Sequence, residues 1–168
     1  MLDRILIDPA AFAREKRQLQ AEAAMADFDR RVSAHEYLVS AEAVVSFSLQ
    51  GGSDRWQRPY LDLHVQAGLP LWCQRCVQPM HFDLDEQVHI VLFADEVALD
   101  EAMLAEDDLE GMLLVPELDV TALVEDQILM AIPYSPRHED CRNPSLETIN
   151  QNSKPNPFAV LAGLKNSR

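Results

Sequence analysis

The sequence predicts an α+β fold, an antiparallel β-meander with an N-terminal helix and C-terminal helices packed against it. Three observations predict it: apolar residues alternate with period two across residues 37–93, a helix start stands at Asp8-Pro9, and another stands at Leu118-Asp119. With 168 residues, 48% hydrophobic and 25% charged, the chain suits one domain able to bury its own core. That domain is expected over residues 1–145, with a polar linker and a C-terminal docking tail over 146–168.

In chain order, Ile5-Leu6-Ile7 reads as a short strand. Asp8 can then accept from free amides, and Pro9 takes the first helical position, where no donor is missed. Residues 10 to about 25 are rich in Ala, Arg, Gln and Glu, which predicts a surface helix with a thin stripe of Phe12, Leu19, Ala23 and Ala26. Residues 27–32 continue it after a break. From Tyr37 the period becomes two: Val44, Val45, Phe47 and Leu49 lead into Gly51-Gly52-Ser53-Asp54, a turn signal. Next, Leu61, Leu63 and Val65 alternate with Tyr60, Asp62, His64 and Gln66, and residues 69–73 and 80–93 add strands to a sheet with one covered face.

Residues 95–110 mix acids with Val97, Leu99, Met103, Leu104 and Leu109. They read either as one short amphipathic helix or as an acidic loop that orders on a partner. Asp119 caps the clearest helix of the chain, Leu118 is placed to staple against Leu123, and Leu123, Val124, Ile128 and Ala131 face inward until Pro133 and Pro136 end it. An Asn-rich linker runs through Ser153. The tail that follows, residues 154–165, presents Phe158, Val160, Leu161 and Leu164 either to its own core or to a partner's groove.

Charge is distributed unevenly. Residues 77–136 contain no Lys or Arg and hold fifteen of the 28 carboxylates, leaving thirteen acids against fourteen bases elsewhere, so the whole net charge of −14 belongs to this segment. An even spread of the bases would place about five there. Acidity of this kind argues against ordinary nucleic-acid binding, which draws its affinity from Lys and Arg on phosphates. It suggests instead a surface for a basic partner, with Asp95, Glu96, Asp100, Glu101, Glu106, Asp107, Asp108 and Glu110 as its acids and Lys154, Pro155, Asn156, Pro157 and Phe158 as a second docking element. Arg14, Lys16, Arg17, Arg30 and Arg31, on or near the first helix, form a small basic patch that could touch RNA with the help of a partner. No basic start, secretory apolar run or ~18-residue uncharged stretch occurs, so a cytoplasmic protein without a membrane span is expected.

Three cysteines in a reducing compartment do not make a disulfide framework. Cys73-Gln74-Arg75-Cys76 lies on a turn between two strands, and His138 and Cys141 complete a four-donor set of the kind zinc takes in structural sites. The bland alternative is three ordinary thiols and a surface His. A thioredoxin-like role for Trp72-Cys73-x-x-Cys76 needs the first Cys at a helix N-terminus, whereas Val77 to Leu84 alternates like a strand. No phosphate loop, GxSxG or HExxH occurs, residues 95–110 lack the Asp-x-Asp-x-Asp-Gly calcium pattern, and His81 and His89 share parity with Asp83 and Asp85 on a polar face. A protein that acts by binding, and not an enzyme, is therefore expected.

Three elements in this order resemble the bacterial YceD-like family: Cys73-Gln74-Arg75-Cys76, the helix opening at Leu118-Asp119 with Glu125-Asp126, and Lys154-Pro155-Asn156-Pro157-Phe158-Ala159-Val160-Leu161. The Asp8-Pro9 start extends the likeness over nearly the whole chain, and the terminal motif is its most specific part. The family's members are known as large ribosomal RNA subunit accumulation proteins. The resemblance implies a non-enzymatic role in biogenesis of the large ribosomal subunit, with loss of the protein lowering 23S rRNA. Many relatives carry a denser cysteine cluster where this chain has His138 and Cys141, so here a His stands in for a thiolate. Two rival classes stay open: a thiol-based redox-responsive chaperone, and an RNA-processing enzyme whose carboxylates position magnesium.

Overall fold

A computed structural model describes residues 4–141. Five strands, β2 (Gln18–Ala24), β3 (Val44–Ser53), β4 (Pro59–Trp72), β5 (Pro79–Phe93) and β6 (Glu110–Leu113), form one sheet in that order. The first four are antiparallel, and β6 runs parallel to β5. A separate pair, β1 (Leu6–Ile7) with β7 (Leu118–Asp119), ties the N-terminal segment to the start of the last described helix. The helices are α1 (Pro9–Arg14), α2 (Arg30–Ser33), α3 (Glu96–Ala105) and α4 (Val120–Ala131). The α+β class and the meander are as the sequence predicts.

Alternation decides which side is covered. Phe47 and Leu49 of β3, Leu61, Leu63 and Val65 of β4, and Ile90 and Leu92 of β5 are buried on one face, where they meet Phe12 of α1 and Val120, Val124 and Ile128 of α4. Removing each such side chain from water contributes about 1.5–3 kcal/mol, so this face drives folding. Between these residues stand Ser46, Ser48, Asp62, His64, Gln87 and His89, whose side chains share the opposite face.

The caps follow the sequence. Ala11 N–H donates to Asp8 Oδ1 at 2.9 Å, and Thr121 and Ala122 N–H donate to Asp119 Oδ1 at 3.0 and 3.2 Å. Residues 10 to about 25 require a correction, because the helix ends at Arg14, Lys16 turns the chain with φ 51°, and β2 follows. Leu19, Ala21 and Ala23 pair with Leu49, Phe47 and Val45, so sheet pairing overrides the helix propensity of an Ala/Gln/Glu run.

The Gly51-Gly52 turn is displaced as well. Both glycines lie inside β3, and a Cβ on Gly51 would come within 2.6 Å of the Phe12 carbonyl oxygen, so glycine lets α1 lie against the sheet. The chain turns at residues 54–58 instead, where Asp54 Oδ1 accepts from the N–H of Trp56 and of Arg58, both at 2.8 Å. Strand β4 continues unbroken through Gly68 and Pro70, and its far end is covered by Tyr37 and Val39, which exchange hydrogen bonds with Trp72 and Pro70. Of the two forms open for residues 95–110, the helix is the one present. No described helix is long and apolar enough to cross a membrane.

Candidate metal centre

Cys73 follows the last residue of β4, and Cys76 sits in the turn that opens β5. The turn is closed by Val77 N–H donating to the Cys73 carbonyl and Cys73 N–H donating to the Gln78 carbonyl, both at 2.9 Å. Val77 adopts φ 56°, a left-handed conformation unfavourable for a β-branched residue. The chain leaving α4 is brought alongside by Gln74 N–H donating to the Pro136 carbonyl at 2.8 Å. His138 and Cys141 thereby reach the two cysteines of the turn.

The donor atoms of Cys73, Cys76, His138 and Cys141 all lie within 4.8 Å of one another. Cys73 Sγ is 3.6 Å from Cys141 Sγ, and Cys76 Sγ is 3.5 Å from His138 Nδ1. A tetrahedral ion with bonds of about 2.3 Å to sulfur and about 2.0–2.1 Å to nitrogen has edges of about 3.8 Å and 3.5 Å. The spacing therefore fits a four-coordinate metal. His138 Nε2 is 3.2 Å from the Pro79 carbonyl oxygen; donation of its proton there leaves the Nδ1 lone pair facing Cys76. Three thiols and an imidazole suit a soft or borderline cation more than magnesium or calcium.

Electrostatics favour a cation at the same place. Burial pushes the Cys73 thiol up, but donation from the backbone N–H groups of Cys76, His138 and Arg75 and from the Cys76 side chain outweighs it, bringing the pKa to about 5. Burial, hydrogen bonds with Cys76 and Cys73, and their negative charge push Cys141 up to about 11. The cluster thus favours a thiolate at Cys73 and disfavours one at Cys141, a conflict that a divalent ion removes. A bound metal would supply a cross-link between the β4–β5 turn and the segment after α4. Cys76 leads into a strand, so the helix N-terminus on which thioredoxin chemistry depends is missing from this turn.

The predicted partner-binding acids divide into parts. Asp95 caps α3 by accepting from Ala98 N–H at 2.9 Å; Glu96, Asp100 and Glu101 lie on that helix; Glu106, Asp107 and Asp108 follow it; Glu110 opens β6. Glu106 is engaged by Arg58 at 3.2 Å. Lys154, Pro155, Asn156, Pro157 and Phe158 fall outside the described residues. The acids of 77–136 do not form a single side: Asp119 pairs with Arg4, and Glu125 and Asp126 pair with Arg31, all beside the helices. Sequence reasoning missed the His64–Asp85 contact at 2.5 Å and the His89–Asp62 contact at 2.6 Å, which link β4 to β5 across the uncovered face. Strand parity was the available signal, since Asp62 and His64 share one parity within β4, and Asp85 and His89 share one within β5.

Residues 61–165 match the family described as Large ribosomal RNA subunit accumulation protein YceD. Over 109 residues the chain is 32% identical to the Large ribosomal RNA subunit accumulation protein YceD of Haemophilus influenzae, covering 60% of this chain and 62% of that relative. The match thus spans less than two thirds of the relative's length. No solved structure matches the chain.

Proposed function

The chain belongs to the YceD family, and from that premise we propose that it supports accumulation of 23S rRNA and of the large ribosomal subunit as a non-enzymatic, cytoplasmic factor. It does so by binding a basic ribosomal protein, an assembly factor or a pre-rRNA particle. The family match over residues 61–165 carries this reading, and the acid excess, which attracts basic polypeptides and repels free phosphate backbone, supports the binding mode. Cells depleted of the protein should lose 23S rRNA relative to 16S rRNA, and the protein should co-sediment with large-subunit precursors. An unchanged ratio together with no co-sedimentation would remove the proposal.

In the same proposal, Cys73, Cys76, His138 and Cys141 hold a structural zinc ion. The purified protein should carry one zinc per chain, and Cys141→Ser should abolish that stoichiometry and lower the midpoint of thermal unfolding. If wild-type protein purified without chelator proves metal-free and gains no thermal stability from added zinc, the zinc assignment fails. A second reading, reversible thiol oxidation, is favoured by one observation, the 3.6 Å approach of Cys73 to Cys141. It predicts that alkylating Cys76 changes chaperone activity without unfolding the protein, which a structural zinc does not.

A further inference from the structure

The segregation of charge in this molecule follows the sheet, not the sequence segment. None of the five strands contains a Lys or an Arg. The described bases stand elsewhere, in α1 and α2, in the turns at residues 15–17, 54–58 and 73–78, and before β1 and His138. On the uncovered face the charged side chains are Glu22, Asp62, Asp83 and Asp85, with His64, His81 and His89 among them, each His within 2.7 Å of one of these aspartates. The rest of that surface is mostly Gln and Ser, with Tyr60 against His89 at 4.6 Å between ring centroids and Val44 exposed beside Ser46. Two of the four acids, Glu22 and Asp62, lie outside residues 77–136.

A second, independent feature borders the same face. A Cβ on Gly111 would meet Leu99 of α3 and come within 3.1 Å of the Phe93 ring, and Gly111 pairs with Val91, two residues beyond His89 on β5. Helix α3 therefore packs on the side away from α1 and α4, at the edge of the uncovered face. None of its ten residues is buried. Its outward stripe at i, i+3, i+4 and i+7 is Val97, Asp100, Glu101 and Leu104, and Leu104 is 86% exposed and Val97 67%. An uncovered sheet face without a base and a helix showing both acid and apolar groups thus meet along one edge.

Resting on the binding reading above, we propose that the uncovered sheet face and the outward stripe of α3 form one docking surface for a Lys/Arg-rich polypeptide segment that also carries apolar side chains. Charge complementarity selects a basic occupant, and Val97 and Leu104 select one with apolar groups over a uniformly polar polycation. Arg58 stands at the border of this surface, paired with Asp54 and Glu106, and the acids of the strands and of α3 oppose the phosphates of a nucleic acid.

The test uses the full-length, zinc-loaded protein and a synthetic peptide of alternating Lys and Leu, compared with an equally charged Lys/Gly peptide and with single-stranded RNA. The Lys/Leu peptide should bind at least ~10-fold tighter than the Lys/Gly peptide, and the combined Asp62→Lys, Asp85→Lys, Glu101→Lys variant should lose ~10-fold or more in its capture. Asp126→Lys, on the helix side, should bind as wild type does. Zero-length carboxylate–amine cross-linking should join the probe's lysines to Asp62, Asp83, Asp85 or Glu101. Cross-links from these acids to Lys154 or Lys165 of the same chain, or to a second copy, would overturn the proposal, as would preferential capture of RNA. An unchanged unfolding midpoint in the triple variant shows that it folds. If that variant still co-sediments with large-subunit precursors, the docking surface is wrong and the family role stands; if wild-type protein does not co-sediment, the role itself fails.

Discussion

The two sides of the sheet are built from the same strands, residue by residue in alternation, yet they answer to different physics. On the helix side, Leu61, Leu63 and Val65 are almost wholly buried, and the acids nearby are engaged: Glu125 accepts from Asp29 N–H at 2.8 Å and pairs with Arg31. On the other side, Asp62 and His64 occupy the intervening positions, and the only charged partners among the strands are histidines. One side is organised to exclude water and the other to remain available. Neighbouring substitutions in β4 should therefore separate folding from binding.

The sharpest way to break that contrast is a pair of adjacent changes. Leu63→Ala, at a position 1% exposed, should destabilise by about 2–5 kcal/mol, whereas His64→Ala should stay within about 0.5 kcal/mol of wild type in urea unfolding. Equal losses would mean that the uncovered face contributes to the core after all. A smaller effect is expected when two acids are compared. Glu125→Ala strands the Asp29 N–H and removes one of the three carboxylates around Arg31, and should lower stability by about 1–3 kcal/mol; Asp62→Asn should leave it within about 0.5 kcal/mol.

The smallest effect sits at the rim, where β3 turns into β4. Burial raises the Asp54 carboxyl, but donation from the Arg58 side chain and from the backbone N–H groups of Arg58 and Trp56 holds it, on balance, below the usual 3.8. A depressed folded-state pKa stabilises the fold above the unfolded value, and that contribution fades as pH falls through the folded value. Asp54→Asn should thus cost under about 1 kcal/mol at neutral pH and flatten the acid limb of the stability profile below 3.8. A variant profile parallel to wild type throughout would show that the turn does not titrate with folding.

Much of the fold was legible in the sequence where one signal dominated. Asp8-Pro9 and Asp119 are local devices whose geometry depends on few neighbours, and the alternation of residues 60–67 survives because both of its faces are strongly typed. Strand β2 was hidden because its inward residues Ala21 and Ala23 are small, so period two is faint beside a helix-favouring composition. Strand β6 was hidden because Glu110–Leu113 pairs in parallel with Ile90–Phe93, a non-local contact with no turn to announce it. The Cys/His set was legible from donor type, although the contacts that bring its two halves together, Gln74 with Pro136 and His138 with Pro79, were not. Charge misled in one respect: a tally along the chain cannot see that Arg31 folds against Glu125 and Asp126 while Glu22 and Asp62 join the acids of β5.

The arrangement of the four sulfur and nitrogen donors has a topological consequence. Cys76 and His138 are separated by 61 residues, so an ion that stayed bound through unfolding would close that stretch into a ring and remove about 4 kcal/mol of denatured-chain freedom by the loop-entropy relation. Strand β5, α3, β6 and α4 lie inside the ring, whereas α1, β2 and β3 lie outside it. Amide hydrogen exchange would then be slower without chelator than with it, mainly within the enclosed half, dividing the polypeptide by its connectivity.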